Sequence, residues 1–291
     1  MQCRYREKLV EAGDMIFGTV YAEYRKAGKR RGPFRETSEV QARNNERRSL
    51  EYHRWLLHMN FTRKDYFLTL TFDNENLPTT KADLDREIRN YISRVKRIYR
   101  RSGIELRYVT IRTDGEGVRP HCHIYLTGGV DRDLLELAWG RGYCNVKRVQ
   151  FNECGISDLA VYTGAQKSGA GEGRPRRRKG EKRWSGSRNL IKPAERTNVT
   201  RYSKKAVEEI ADAGNPQEIF AKRYRGYWLA EFPVMVQNPV THGWWLSFVL
   251  YKPFSENLEP YVRARNTKKY SVGEDGAIEE VYRGGMRFAE V

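Results

Sequence analysis

The residues of this chain whose types and spacing most directly promise chemistry are His121 and His123, in the run Arg119-Pro120-His121-Cys122-His123-Ile124-Tyr125-Leu126. The run reads as a β-strand, and successive strand side chains point to opposite faces. His121 and His123 therefore share one face, and Cys122 and Ile124 share the other. Neutral imidazole is the commonest side-chain metal ligand, and two of them on one rigid strand form half of a preorganised metal site. A chain with five histidines also produces such pairs by chance, so the pair needs support from its surroundings.

Two further stretches supply it. Upstream, Phe67-Leu68-Thr69-Leu70-Thr71-Phe72 alternates as a strand, with Leu68, Leu70 and Phe72 on one face and Phe67, Thr69 and Thr71 on the other. Downstream, Tyr162 sits in Asp158-Leu159-Ala160-Val161-Tyr162-Thr163-Gly164-Ala165-Gln166, a helix-compatible run. A lone tyrosine on a helix is ordinarily a core residue. In this order, however, the three stretches resemble the HUH endonucleases that initiate rolling-circle replication of phages and plasmids. The resemblance extends to Asn60-Phe61-Thr62-Arg63-Lys64-Asp65, to Trp139-Gly140-Arg141-Gly142-Tyr143, and to Arg183-Trp184-Ser185-Gly186-Ser187-Arg188-Asn189-Leu190 with Pro193 after it, covering roughly residues 40 to 195.

The resemblance implies an α+β fold, a central antiparallel sheet of RRM or ferredoxin-like palm type flanked by helices. It implies a Mg²⁺ or Mn²⁺ ion held by His121, His123 and an acidic residue, and Tyr162 as the nucleophile that nicks single-stranded DNA at an origin. The product is a 5′-phosphotyrosine link and a free 3′-hydroxyl, with a host helicase and polymerase as expected partners. Relatives carry a Glu before the histidines where this chain has Thr113; Asp114 and Glu116 are the nearest carboxylates. In a hairpin pairing Arg112 with His121, residue 114 falls on the histidine face, so parity favours Asp114. Relatives often place a lysine three residues after the tyrosine, where Ala165 stands here, with Lys167 two further on. Tyr202, in Tyr202-Ser203-Lys204-Lys205, is a rival nucleophile at a spacing long for the family. Competing functions are an HUH transposase or relaxase-type strand transferase, and a non-catalytic basic protein that binds single-stranded nucleic acid.

Composition points the same way. Lys and Arg number 54 against 37 Asp and Glu, a net charge of +17, so polyanions are attracted and binding weakens with salt. The run Arg176-Arg177-Arg178-Lys179, with Arg183 close behind, is a poor core former and a good phosphate binder. No stretch of about 18 apolar residues and no apolar signal core occurs, so no membrane partner and a bacterial cytoplasmic location are expected. Cys3, Cys122, Cys144 and Cys154 form no Cys-x-x-Cys pair, which argues against structural zinc. No Gly-x-x-x-x-Gly-Lys-Ser/Thr loop occurs, so no fused helicase is expected.

The expected organisation is an N-terminal helical and basic extension over 1–60, the endonuclease domain over 61–215 and a small C-terminal module over 216–291. Apolar periodicity predicts helices ending near residue 57, over 82–101 and 131–139, and one from Tyr202 to about 213. It predicts strands over 66–72, 108–112, 121–126, 143–151 and 243–251, the second and third joined as a hairpin through the Gly-rich turn at 114–120.

Overall fold

A computed structural model describes residues 4–24, 39–115, 117–157, 184–258, 269–272 and 278–281. In chain order the elements are β1 (Arg4–Ala12), β2 (Met15–Glu23), α1 (Glu39–Asn60), β3 (Tyr66–Phe72), α2 (Lys81–Arg101), β4 (Tyr108–Gly115), β5 (Val118–Leu126), α3 (Arg132–Leu137), β6 (Gly142–Arg148), β7 (Phe151–Asn152) and β8 (Gly155–Ile156). There follow β9 (Trp184–Gly186), β10 (Glu195–Asn198), α4 (Lys204–Asp212), α5 (Gln217–Arg223), β11 (Trp228–Leu229), β12 (Val234–Gln237), β13 (Trp244–Tyr251), β14 (Lys269–Val272) and β15 (Ile278–Val281).

Two antiparallel sheets carry the fold, as expected of an α+β chain. The sheet holding the histidines has the order β6-β3-β5-β4-β9, built from a β-α-β-β-α-β run with β9 added at one edge. One face packs on α2 and α3. Leu84, Ile88, Tyr91, Ile92, Val95 and Tyr99 of α2 form one buried stripe against Leu68, Leu70, Phe72, Cys122, Ile124 and Leu126, and each such side chain gains about 1.5–3 kcal/mol from burial. Thr80 caps α2, its hydroxyl accepting from the Asp83 N–H at 3.1 Å, which satisfies an orphan donor of the first turn.

The second sheet runs β10-β1-β2-β13-β11, with β12 also on β13. Residues 4–23 form a hairpin here, where periodicity predicted a helix. The two-residue loop Gly13-Asp14 closes it, Ala12 pairing with Met15. Gly13 has φ +59°, and a Cβ there would run into the His58 carbonyl, so a side chain is excluded. Because β1 and β2 pair with β10 and β13, this sheet draws on all three regions of the expected organisation. Val207, Ile210, Phe220 and Tyr224 of the α4–α5 region cover one face together with Tyr202.

Between the sheets lies α1, helical as predicted. Leu57, with Phe61 just past the helix, packs on the histidine sheet beside Phe67, Val109, Ile111 and Tyr125, while Trp55 and Met59 pack on Val10, Phe17 and Val249 of the other sheet. Near-continuous apolarity at its C-terminal end is what a helix buried on both sides requires.

His58 of α1 is buried edge-on against Phe17, ring centroids 5.4 Å apart. Its Nδ1–H donates to the Arg54 carbonyl at 2.7 Å and its Nε2 accepts the Ile156 N–H at 3.0 Å. Both nitrogens are thus committed to the neutral ring, and burial pushes its pKa from 6.5 down to about 3; buried His53 moves the same way, to about 4. Between the folded and unfolded pKa values only the unfolded chain binds these protons. Stability is therefore fully present above pH 6.5 and falls as the pH drops below it, by up to about 1.4 kcal/mol per pH unit per histidine. Urea unfolding at pH 7.5, 6 and 5 will read this slope, and His58→Gln will reduce it by about half; an unchanged slope in that variant would remove His58 from the account.

Candidate active site

The histidine strand enters the sheet through an irregularity. The turn sets Gly115 opposite Val118, but Thr113 lies opposite His121, so β4 advances two residues while β5 advances three. The additional residue falls at Arg119-Pro120, and proline, which has no N–H to donate to the ladder, suits a bulge. Arg119 fixes this corner by donating to the Phe72 carbonyl at 3.0 and 2.7 Å and to Asn74 Oδ1 at 2.9 Å.

His121 and His123 then share a face as expected, their rings edge to face with centroids 5.0 Å apart. His121 Nδ1–H donates to the Arg119 carbonyl at 2.9 Å. A carbonyl can only accept, so in the neutral ring the lone pair resides on Nε2, the tautomer of an imidazole poised to ligate a cation. His123 lies 3.1 Å from Thr69 Oγ1 through Nδ1 and stacks on Phe67, centroids 5.3 Å apart and planes 15° apart. The register aligns Thr71 and Thr113 on either side of His121, and Thr69 and Ile111 on either side of His123. The small hydroxyl side chains of β3 therefore line the histidine face, as the alternation at 67–72 predicted.

Asp114 is not brought to this face. The parity argument for it assumed Arg112 opposite His121, and the observed register turns Arg112 and Asp114 toward α2. There Arg112 bonds both oxygens of Asp85 at 2.8 Å, and Asp114 lies 3.7 Å from Lys81 Nζ. Among the described residues no group of three His, Cys, Asp or Glu side chains is arranged to hold a metal ion. Cys122 is buried on the α2 side, where burial pushes its thiol pKa up to about 12, so it is no thiolate ligand. Tyr162, Glu116, Arg176, Arg177, Arg178, Lys179 and Arg183 lie outside the described residues.

The flanking motifs serve as supports. Asp65 accepts from Thr62 N–H at 2.6 Å, Thr62 Oγ1 at 2.9 Å and Gly128 N–H at 2.7 Å, which clamps the entrance to β3. Trp139 donates its indole N–H to the Thr71 carbonyl at 3.0 Å, and Arg94 donates to the Ala138 and Trp139 carbonyls, so the Trp139–Tyr143 segment is tied to α2 and β3. Trp184 is a packing anchor, its ring beside Tyr52 and His53 of α1.

The rival Tyr202 is buried, its hydroxyl 3.0 Å from that of Tyr224; Tyr224 in turn donates to buried Glu7. Burial pushes the Tyr202 phenol up to about 12. It belongs to the core of the second sheet, and so does not serve the histidine face.

The reading of 143–151 as a plain strand missed what β6 adds. Tyr143 pairs with Thr71, Asn145 with Thr69 and Lys147 with Phe67, while Cys144 and Val146 turn into the α2 core. Tyr143, Asn145 and Lys147 are all exposed on the histidine face. The parity of the threonines on β3 carries this information.

Among the described residues no helix is long and apolar enough to cross a membrane. No curated protein and no solved structure matches the chain. A family model for replication-associated proteins of the ORF2 group matches residues 65–167, less than half of the chain. The stretch begins just before β3, contains both histidines and Tyr162, and its match supports a role for this chain in replication initiation on DNA.

Proposed function

We propose that this chain nicks single-stranded DNA at a replication origin by metal-assisted attack of a tyrosine, and rejoins strands by the reverse step. The observation that supports this most is the paired imidazoles, with His121 Nδ1 committed to the Arg119 carbonyl on a face otherwise lined by small hydroxyls. Two imidazoles fit one side of a divalent ion, leaving its other positions to oxygen ligands such as phosphate, water, the Thr113 hydroxyl or the Glu116 carboxylate. Mg²⁺ or Mn²⁺ bound there would supply Lewis-acid polarisation of the scissile phosphate and a template for its orientation.

The chain's own residues do the rest. Arg119 and Thr69 hold the two imidazoles in place. Tyr162 Oη bonds to phosphorus as the P–O3′ bond breaks, and the phenolic proton passes to the departing 3′ oxygen. The phosphodiester energy is kept in the 5′-phosphotyrosine link for later rejoining. The run Arg176–Lys179 with Arg183 supplies sequence-independent affinity for the strand. In the test, a single-stranded oligonucleotide pool incubated with the protein and Mn²⁺ or Mg²⁺ gives discrete nicks that disappear with a chelator. A protein that retards the pool and never cuts it would be a binding module instead.

A further inference from the structure

Tyr143 is 66% exposed, although the neighbouring aromatic residues Trp139, Phe67 and Tyr125 are all buried in the core clusters. Its side chain makes none of the packing that would account for a large ring at this position. By register it stands in line with Thr71 and His121, two strand spacings from the histidine, or about 10 Å. Along β6 the same face continues with Asn145 and Lys147, the Lys147 ammonium lying 5.1 Å from the Phe67 ring centroid. The Trp139 indole anchor and Gly142 fix where the ring is presented. At Gly142, φ is +131° and a Cβ would collide with the backbone of β3, so only glycine lets β6 approach closely enough to start there.

We propose that Tyr143 is a base-stacking platform, taking the face of one nucleobase of a single strand whose neighbouring phosphate lies at His121 and His123. This rests on the nickase reading for the location of the phosphate and goes beyond it by assigning a substrate-binding residue. An exposed ring on an open sheet is how single-stranded nucleic acid is commonly held, because every base has a π-face and stacking tolerates any sequence. The surroundings favour a polyanion over a protein partner. Thr69, Thr71, Asn145, Lys147 and the histidines around the ring are polar or basic, whereas a protein-docking surface centred on an aromatic would be rimmed by apolar side chains. Asn145, with a donor and an acceptor at its tip, stands beside the platform on the same strand, suited to reading a base edge.

The test uses the full chain with single-stranded oligonucleotides carrying 2-aminopurine at successive positions around the mapped nick, and compares wild type with Tyr143→Ala and Tyr143→Phe. Fluorescence quenching at one position, retained in Tyr143→Phe and lost in Tyr143→Ala, is the expected result. Affinity of the Ala variant should fall by about 5- to 100-fold. Because the side chain is exposed, the melting temperature should stay at its wild-type value. Equal affinity and quenching in Tyr143→Ala overturns the platform whether or not the protein nicks. Loss of cleavage in Tyr143→Phe, which keeps the ring, makes the hydroxyl a reactant and also overturns it. If wild type quenches but never cuts, with positions then scanned along the whole oligonucleotide, the nickase reading fails and the platform stands.

Discussion

Replacing either His121 or His123 with alanine will lower metal-dependent nicking by more than about a hundredfold and leave single-stranded DNA affinity within a few-fold of wild type. The magnitude follows from the known sensitivity of metal sites, where loss of an outer partner alone costs about 10- to 100-fold and loss of a ligand costs more. The separation of the two readouts follows from where affinity resides. With Lys and Arg exceeding Asp and Glu by 17, binding is spread over many cationic side chains, none of them at the histidines. Neither histidine is fully buried, so truncation should not unfold the sheet. Oligonucleotide cleavage titrated with Mn²⁺, alongside fluorescence anisotropy on the same strand, gives both numbers. Wild-type cleavage in both variants would remove the metal from the mechanism, and parallel loss of binding and cleavage would mean the substitutions act on folding.

Much of the histidine sheet was legible because its residues obey one periodicity each. β3 alternates cleanly, α2 repeats its apolar residues at three and four, and both elements match their predicted spans to within a residue. The N-terminal hairpin was not legible in the same way, because β1 buries a charged residue. Glu7 occupies an inward position between Tyr5 and Leu9, held by Tyr224 and Arg201, and a carboxylate there breaks the apolar alternation that marks a strand. Gly13-Asp14 was the signal that could have found it.

The third metal position failed for a subtler reason. The register that the turn sets at Gly115 and Val118, carried on without interruption, would pair Arg112 with His121, and a single bulged residue at Arg119-Pro120 changes the partner to Thr113. A one-residue shift flips every side chain to the other face. Asp114 therefore goes to α2, and the hydroxyl of Thr113 takes the place where a carboxylate was expected. Nothing in the periodicity of either strand encodes that shift; the proline is its only trace. The roles of Tyr162 and the basic run were legible through resemblance alone, and both lie outside the described residues.

Tyr162→Phe separates a phosphotyrosine mechanism from ordinary metal-assisted hydrolysis, and it will eliminate the covalent protein–DNA adduct. The substitution removes one hydroxyl and keeps the ring, so packing and metal affinity should persist while the nucleophile is gone. Tyr202→Phe is the matched control, and the structure strengthens it. The Tyr202 hydroxyl is buried against Tyr224 in the second sheet, so its loss should lower stability modestly, by about 1 kcal/mol for one net hydrogen bond, and leave the adduct in place. The measurement is denaturing electrophoresis of a 3′-labelled oligonucleotide carrying the nick site after incubation with Mn²⁺, followed by mass spectrometry of the attached peptide. The label stays with the fragment whose 5′ phosphate joins the protein, so the adduct appears as a slow band. An adduct that survives in Tyr162→Phe and vanishes in Tyr202→Phe would reverse the assignment, and wild-type cleavage with no slow band would leave hydrolysis as the reaction.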